Sequence, residues 1–232
     1  MIDSNEYKKV LVEHLSEFVL EERKNLFLKI INNRTRYLTV VLEDLFQEHN
    51  ASAVLRTCDI LGIQDIHIIE NAYKYHINKD IALGSSKWLS FYDHRELENN
   101  TLATIKHLHE KGYRIVATTP HKKDVELEDF DVEKGKFAVF FGSEVPGLTQ
   151  LVLDNADEFI KIPMYGFTES FNISVSAGII LNQLSDKVRK SEINWQLSEN
   201  EKNEILIDWF TKTIKSSKLI ISEFNKKYQK ND

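Results

Sequence analysis

Short runs of apolar residues alternate with amphipathic stretches through the middle of the chain. Runs that are apolar along their whole length are typical of strands covered on both faces of a sheet. They predict strands at 38–42, 66–69, 114–118, 136–142 and 158–163. Between them, apolar residues recur at three- and four-residue steps, which is the helical period. The corresponding helices are predicted at 51–62, 95–111, 148–156 and 173–190. Because strands alternate with helices, we expect an α/β fold with a mostly parallel sheet and helices on both faces.

Both ends of the chain carry helical patterns. Apolar side chains recur at helical steps in 5–20, and 203–229 reads as a separate helix with a second stripe. That stripe can pack on its own domain or on a partner subunit, and its period does not choose between them. The stripe consists of Leu206, Phe210, Ile214, Ile221, Phe224 and Tyr228. With no linker-like composition, we predict one domain at 37–190 with helical extensions at 1–36 and 191–232.

Composition excludes several classes of protein. A chain that is 42% hydrophobic can bury a core, which excludes a disordered protein. A single cysteine, Cys58, excludes a disulfide framework and fits a reducing compartment. The N-terminus lacks an apolar signal core, and no apolar run is long enough to span a membrane. We therefore expect a cytoplasmic protein with no membrane partner.

The formal charge of −6 is unevenly distributed. Residues 1–36 carry a net charge of +1 and residues 187–232 carry +3, so the acid is concentrated between them. Basic runs are usually solvated helix faces, and charge alone favours that interpretation. The alternative is an RNA phosphate-binding surface on two terminal arms.

Metal, hydrolase and dinucleotide motifs are missing from the sequence. It contains no H-x-x-x-H or C-x-x-C spacing, so we expect no metal site. It also lacks a G-x-S-x-G elbow, and GSEVPG at 142–147 is not a dinucleotide fingerprint, which disfavours an oxidoreductase. Arg56 lies in an otherwise apolar helical stretch. It is either paired with a carboxylate such as Asp59 or Glu144, or exposed at the edge of a site.

Three segments together resemble the motifs of the SPOUT (α/β-knot) RNA methyltransferases of the TrmH type. They are 50–62 (NASAVLRTCDILG), 141–148 (FGSEVPGL) and 162–177 (IPMYGFTESFNISVSA). The resemblance implies a C-terminal trefoil knot that binds S-adenosylmethionine, a homodimer, and methylation of a ribose 2′-OH in RNA. The stretch 84–88 and the short helical extensions favour guanosine 18 of the tRNA D-loop. The alternatives are another tRNA position, ribosomal RNA, or a non-catalytic RNA-binding protein of the same fold.

The resemblance also assigns roles to individual positions. The implied catalytic residues are Arg56, Asn50, Glu144, Ser170 and Asn172. The implied cofactor-binding residues are Thr118, Gly142, Ile162, Met164 and Phe171. RNA contacts are expected at Arg23, Lys24, Arg34, Arg36 and Lys87, with the lysines of 212–230 as further candidates. Two positions depart from the family pattern, since Phe171 stands for a usual leucine and Thr168-Glu169 for a usual Val-Gln pair.

Overall fold

The computed structural model describes residues 4–44, 48–71, 84–97, 99–119, 125–143 and 146–228. The chain divides into two compact units. The central unit is Thr35–Trp195, and the terminal unit combines the residues up to Arg34 with those from Gln196 onward. The division at 37–190 predicted from the sequence stays a prediction. No described helix has the length and apolar character needed to cross a membrane.

The central unit is built on one parallel sheet of seven strands in the described residues, in the order β3-β2-β1-β6-β4-β7-β5. Its strands are β1 Leu38–Glu43, β2 Asp65–Ile69, β3 Ser90–His94, β4 Arg114–Thr118, β5 Val125–Glu126, β6 Phe137–Phe141 and β7 Glu158–Lys161. The predicted α/β fold with a mostly parallel sheet is confirmed. The pattern missed β3 and β5, because β3 is a partly exposed edge strand and β5 is only two residues long.

Helices cover both faces of this sheet. They are α3 Glu48–Leu61, α4 Asn100–Glu110, α5 Gln150–Asn155 and α6 Ile173–Lys190. Neighbouring residues of a strand point to opposite faces. Accordingly, Val40 lies in one buried cluster with Leu55 of α3 and Leu181 of α6, whereas Val41 lies in the other with Ile105 of α4. Burial on both faces explains why the central strands read as continuous apolar runs.

The terminal unit is a helical bundle. Its helices are α1 Ser4–Ser16, α2 Glu21–Ile31, α7 Glu199–Thr213 and α8 Ser217–Tyr228. The prediction of one helix over 203–229 is wrong, because the chain becomes extended at Ile214 and restarts at Ser217. Serine favours helix starts, since its hydroxyl competes for backbone groups, and here the Ser217 hydroxyl donates to the Thr211 carbonyl at 2.9 Å. Leu206, Phe210 and Phe224 are buried within this unit, so the stripe packs at least partly on its own chain.

Candidate active site

A cavity of about 270 Å³ lies at the carboxyl ends of β4, β6 and β7. In open α/β sheets this edge is where ligands bind. All five residues predicted to bind the cofactor line this cavity, together with one predicted catalytic residue. They are Thr118, Gly142, Ile162, Met164, Phe171 and Ser170. Sequence positions up to 53 residues apart therefore converge on one concave site.

Gly142 is where the site most clearly requires a particular residue. A Cβ atom at this position would lie 2.3 Å from the carbonyl carbon and oxygen of Gly147 and from the nitrogen of Leu148. The backbone of Gly147 and Leu148 therefore packs directly against Gly142, just after the end of β6, which only glycine permits. Gly147 itself has a φ of 90°, in the region that favours glycine. Glu144, between the two glycines, lies outside the described residues.

Hydrogen bonds join the strand ends that form the cavity floor. The Thr118 hydroxyl donates to the Phe140 carbonyl at 2.8 Å, which fastens the end of β4 to β6. The Thr119 amide donates to the Ile160 carbonyl at 3.2 Å, which fastens the same end to β7. Three strands are thus held together beneath the cavity.

The N-terminus of α6 is linked to the first turn of α3. Asn172 is the N-cap of α6, and its Oδ1 accepts a hydrogen bond from the Ser174 amide at 2.9 Å. Its Nδ2 donates to Asn50 Oδ1 at 3.1 Å. Two predicted catalytic residues, 122 positions apart in the chain, are therefore in direct contact.

Arg56 is exposed on α3, the helix that also carries Asn50. Six residues separate it from Asn50, which on a helix is about 9 Å along the axis and about a third of a turn around it. Glu144, one of the two carboxylates considered as its partner, lies outside the described residues. The exposure of Arg56 agrees with a position at the edge of a site, and its pairing with a carboxylate stays a prediction.

The cavity also includes polar residues that were not predicted from the sequence. Ser176 follows Asn172 by one helical turn, so it lies on the same side of α6 and could have been found from that spacing. Lys161 ends β7 and Glu169 precedes Ser170, and both line the cavity. Glu169 is one of the positions that depart from the family pattern.

Comparison with known proteins identifies the family. Residues 37–182 match the SpoU rRNA Methylase family, a region that holds the cavity and all three motif segments. The chain belongs to the SpoU rRNA Methylase family. The resemblance stated from the sequence is thereby confirmed.

Relatives in the SpoU family match almost the whole chain. The tRNA (guanosine(18)-2′-O)-methyltransferase of Borreliella burgdorferi is 42% identical over 211 residues, which cover 91% of this chain and 94% of the relative. The protein of the same name from Aquifex aeolicus is 33% identical and covers 88% and 96%. The crystal structure of the A. aeolicus TrmH/SpoU tRNA modifying enzyme superposes with a TM-score of 0.73 at 29% identity, over 84% of this chain and 98% of that one.

The basic residues proposed to contact RNA lie in unequal environments. Arg23 is exposed on α2 and Lys87 is exposed in a short 3-10 helix that packs on α3 of the SpoU region. Lys24 is half-buried. Arg36 is also half-buried, and its Nε lies 3.1 Å from Asp65 Oδ2.

Arg34 is buried, although it is predicted from the sequence to contact RNA. It is only 3% exposed, and its guanidinium lies 5.4 Å from the centre of the Trp209 ring inside the terminal unit. A guanidinium packed on an aromatic face in the interior stabilises the fold and is not presented to a phosphate. The prediction that Arg34 contacts RNA therefore does not fit the structure, because a basic run in sequence does not distinguish buried from exposed members.

Three histidines meet beside the sheet edge. His67 Nδ1 lies 2.9 Å from His94 Nε2, and the His107 ring lies 6.4 Å from each of theirs. Burial, followed by repulsion from the other two histidines, lowers the pKa of His67 to about 3. Burial also lowers the pKa of His94. Over the described ranges, no group of three histidine, cysteine or acidic side chains is arranged to hold a metal ion.

Proposed function

We propose that the chain methylates the ribose 2′-OH of guanosine 18 in tRNA, using S-adenosylmethionine. The observation that carries this proposal is the convergence of the resemblance-derived cofactor residues on one cavity, in a member of the SpoU family. The tRNA substrate is supported by the extent of the similarity to relatives named for that reaction. The matched length in the B. burgdorferi relative, 211 residues, exceeds the SpoU region and therefore includes terminal helices.

The cavity suits the proposed cofactor. Its walls combine apolar side chains, such as Ile162, Leu148 and Phe171, with hydroxyls and the backbone of a glycine turn. Apolar walls accept an adenine ring, and the backbone N–H and C=O groups of a tight turn can bond to the ring edge. Glu169 and Lys161 place one carboxylate and one ammonium group at the cavity, which suits a ligand that carries both positive and negative groups. When bound, S-adenosylmethionine supplies a methyl group that is already activated on a positively charged sulfur atom.

The protein then has to align the ribose with the methyl donor and to assist removal of the proton from the 2′-OH. Arginine stays protonated in proteins, so Arg56 acts by stabilising the negative charge that develops on the 2′-oxygen, while water or a phosphate oxygen accepts the proton. The hydrogen-bonded pair of Asn50 and Asn172 holds the start of α6 beside the cavity and orients the reacting groups. Ser170 and Glu144 complete the catalytic set implied by the family resemblance.

The finer architectural features implied by the resemblance belong to the same proposal. They are a C-terminal trefoil knot, a homodimer, and a catalytic domain at 37–190 between helical extensions at 1–36 and 191–232. The knot rests on the family resemblance and on membership of the SpoU family. Exposed Tyr165, Phe167, Val175 and Ile179 support the dimer, because such patches usually mark interfaces. The tRNA substrate and the single cysteine, Cys58, support a cytoplasmic location.

Methyl transfer from radiolabelled S-adenosylmethionine to an unmodified tRNA transcript tests the proposal. We expect label in tRNA and none in ribosomal RNA fragments, although the family name refers to ribosomal RNA. Label confined to ribosomal RNA would assign the alternative substrate. A protein that binds tRNA without binding S-adenosylmethionine would instead be a non-catalytic RNA-binding member.

A further inference from the structure

A buried carboxylate outside the cavity holds the loop that borders it. Glu43, the last residue of β1, is 1% exposed. Its Oε1 accepts hydrogen bonds from the Thr101 hydroxyl at 2.7 Å and from the Thr149 hydroxyl at 2.8 Å. Its Oε2 accepts one from the Thr149 backbone amide at 2.9 Å.

Such a carboxylate needs an explanation, since burying an acid costs several kcal/mol unless donors replace its water. Here the donors that the structure describes are two hydroxyls and an amide, supplied by α4 and by the residue before α5. A buried group with this many fixed partners holds its neighbours in one arrangement. Glu43 therefore ties the end of β1 to two other segments of the central unit.

Thr149 connects the hydrogen bonds of Glu43 to the cavity. Thr149 is the N-cap of α5, and it follows Leu148, which lines the cavity. Gly147 and Leu148, which both line the cavity, are thus fixed on two sides. Gly142 packs closely on the Gly147 backbone, and Glu43 accepts hydrogen bonds from the amide and hydroxyl of Thr149.

We propose that Glu43 is a positioning residue for S-adenosylmethionine binding, acting through Thr149 on the adjoining cavity residues Gly147 and Leu148. The proposal rests on the proposed function, because it assumes that this cavity takes the cofactor. Glu43 does not line the cavity, so it acts by holding Gly147 and Leu148 in place rather than by contact with the cofactor.

Substitutions at Thr149 test this role, with the melting temperature of each variant measured first, because Thr149→Val also removes the N-cap of α5 and should cost about 1 kcal/mol of stability. Thr149→Val removes the hydroxyl that donates a hydrogen bond to the Glu43 carboxylate. Thr149→Ser keeps this hydroxyl and loses only a methyl group. Isothermal titration with S-adenosylmethionine, well below each variant's melting temperature, should show Kd raised about fivefold or more by Thr149→Val and unchanged by Thr149→Ser. Glu43→Gln turns one acceptor into a donor that faces other donors, and it should raise Kd by at least about tenfold. Thr101→Val breaks the bond from α4 instead and should leave Kd within about twofold.

The outcomes separate the two proposals. If the wild-type protein does not bind S-adenosylmethionine, the proposed function fails and the role of Glu43 fails with it. If the wild-type protein binds the cofactor and Thr149→Val binds equally well, the positioning role is wrong while the proposed function stands. The positioning role is also wrong if Thr101→Val weakens binding as much as Thr149→Val, since Glu43 would then act only on general stability. Should Glu43→Gln fail to fold, the Thr149 pair still decides.

Discussion

Asn172 Nδ2 donates a hydrogen bond to Asn50 Oδ1 at 3.1 Å, while Asn172 Oδ1 accepts from the Ser174 amide at 2.9 Å. Both ends of one side-chain amide are therefore used, and the orientation of the amide is set. One end starts helix α6 and the other reaches helix α3. The two motifs that contain Asn50 and Asn172 are joined at this point, next to the proposed cofactor cavity.

The two functions of the Asn172 amide can be separated by substitution. Asn172→Asp keeps an oxygen that caps α6 but replaces the donor facing Asn50 with an acceptor. We expect stability to change by less than about 1 kcal/mol, and methyl transfer to fall about 100-fold because the site is misaligned. Asn172→Ala should lose about 1 kcal/mol of stability in addition. Thermal unfolding and single-turnover rates measure the two effects, and an active Asn172→Asp variant would refute the positioning role.

The contact between Gly142 and Gly147 predicts intolerance of any side chain at position 142. Gly142→Ala places a Cβ 2.3 Å from backbone atoms, so the loop must move. We expect the free energy of unfolding to fall by about 1–3 kcal/mol, the usual cost of overpacking. Because the displaced residues line the cavity, cofactor binding should weaken at least about tenfold. Gly178→Ala is the matched control, because its Cβ meets nothing within 4 Å. Gly178 lies within α6, where alanine is the better helix former. The substitution should therefore raise the free energy of unfolding by up to about 1 kcal/mol. Equal cofactor affinity in both variants would show that the packing of Gly142 on Gly147 does not shape the cofactor site.

Arg56 is expected to matter for the reaction and not for cofactor binding. It is exposed on α3 and does not line the cavity. Arg56→Ala should lower methyl transfer about 100- to 1,000-fold, the usual loss of one oxyanion-stabilising donor. The Kd for S-adenosylmethionine should stay within about twofold. Arg95→Ala, at another exposed arginine of the central unit, provides the control. Turnover at the wild-type rate in Arg56→Ala would remove this residue from the mechanism.

The proposed RNA contacts on the terminal unit can be tested with two charge reversals. Arg23→Glu with Lys24→Glu should weaken tRNA binding and reduce the slope of log K against log salt by roughly 0.7 to 0.9 for each phosphate group that the variant no longer binds. Arg34→Glu should instead destabilise the unit, because it buries an acid beside Trp209. Filter binding over a range of salt, with circular dichroism for folding, distinguishes them. A well-folded Arg34→Glu variant with reduced salt slope would restore Arg34 as an RNA contact.

The histidine cluster predicts a dependence of stability on pH. An unfolded histidine takes up a proton near pH 6.5, whereas the pKa of His67 in the folded protein is about 3. The unfolded state therefore binds more protons between these values, and stability falls as the pH falls through that range. Groups that influence His67 or its neighbour His94 are His107 and Asp93. At pH 5 the loss from His67 should be about 2 kcal/mol relative to pH 7.5.

Urea unfolding of His67→Phe at both pH values measures this loss. The variant should lose less stability on acidification than the wild-type protein by about that amount, about 2 kcal/mol. His49→Gln, at an exposed histidine, should behave like the wild-type protein. An unchanged pH dependence in His67→Phe would show that His67 is not the group that titrates.

The central strands were predictable because their signals are local, whereas the individual cavity residues were implied by the family resemblance. A strand buried on both faces must be apolar throughout, as in β1 and β6, and the ligand site of a parallel sheet must lie at its carboxyl edge. The break between α7 and α8 was not predictable from periodicity, because the apolar stripe continues through Ile214 in phase with both helices. The burial of Arg34 was hidden for a similar reason, since it depends on Trp209, which is distant in sequence.

The proposed role of Glu43 could not be predicted from the sequence either. A polar residue at a strand end can face solvent, a ligand or another loop, and these alternatives have the same pattern. Only the positions of Thr101 and Thr149 in the fold show which applies. The three histidines likewise come from two strands and a helix, with spacings that carry no motif.

The most direct test of the proposed reaction uses two tRNA transcripts that differ by one atom. One contains guanosine at position 18 and the other contains 2′-deoxyguanosine there, and both are incubated with the wild-type protein and S-adenosylmethionine. The methylated nucleotide is then mapped by mass spectrometry of nuclease fragments. We predict a single 2′-O-methyl group at position 18 of the first transcript and none in the second. Methylation at another position, or equal methylation of both transcripts, would contradict the proposal.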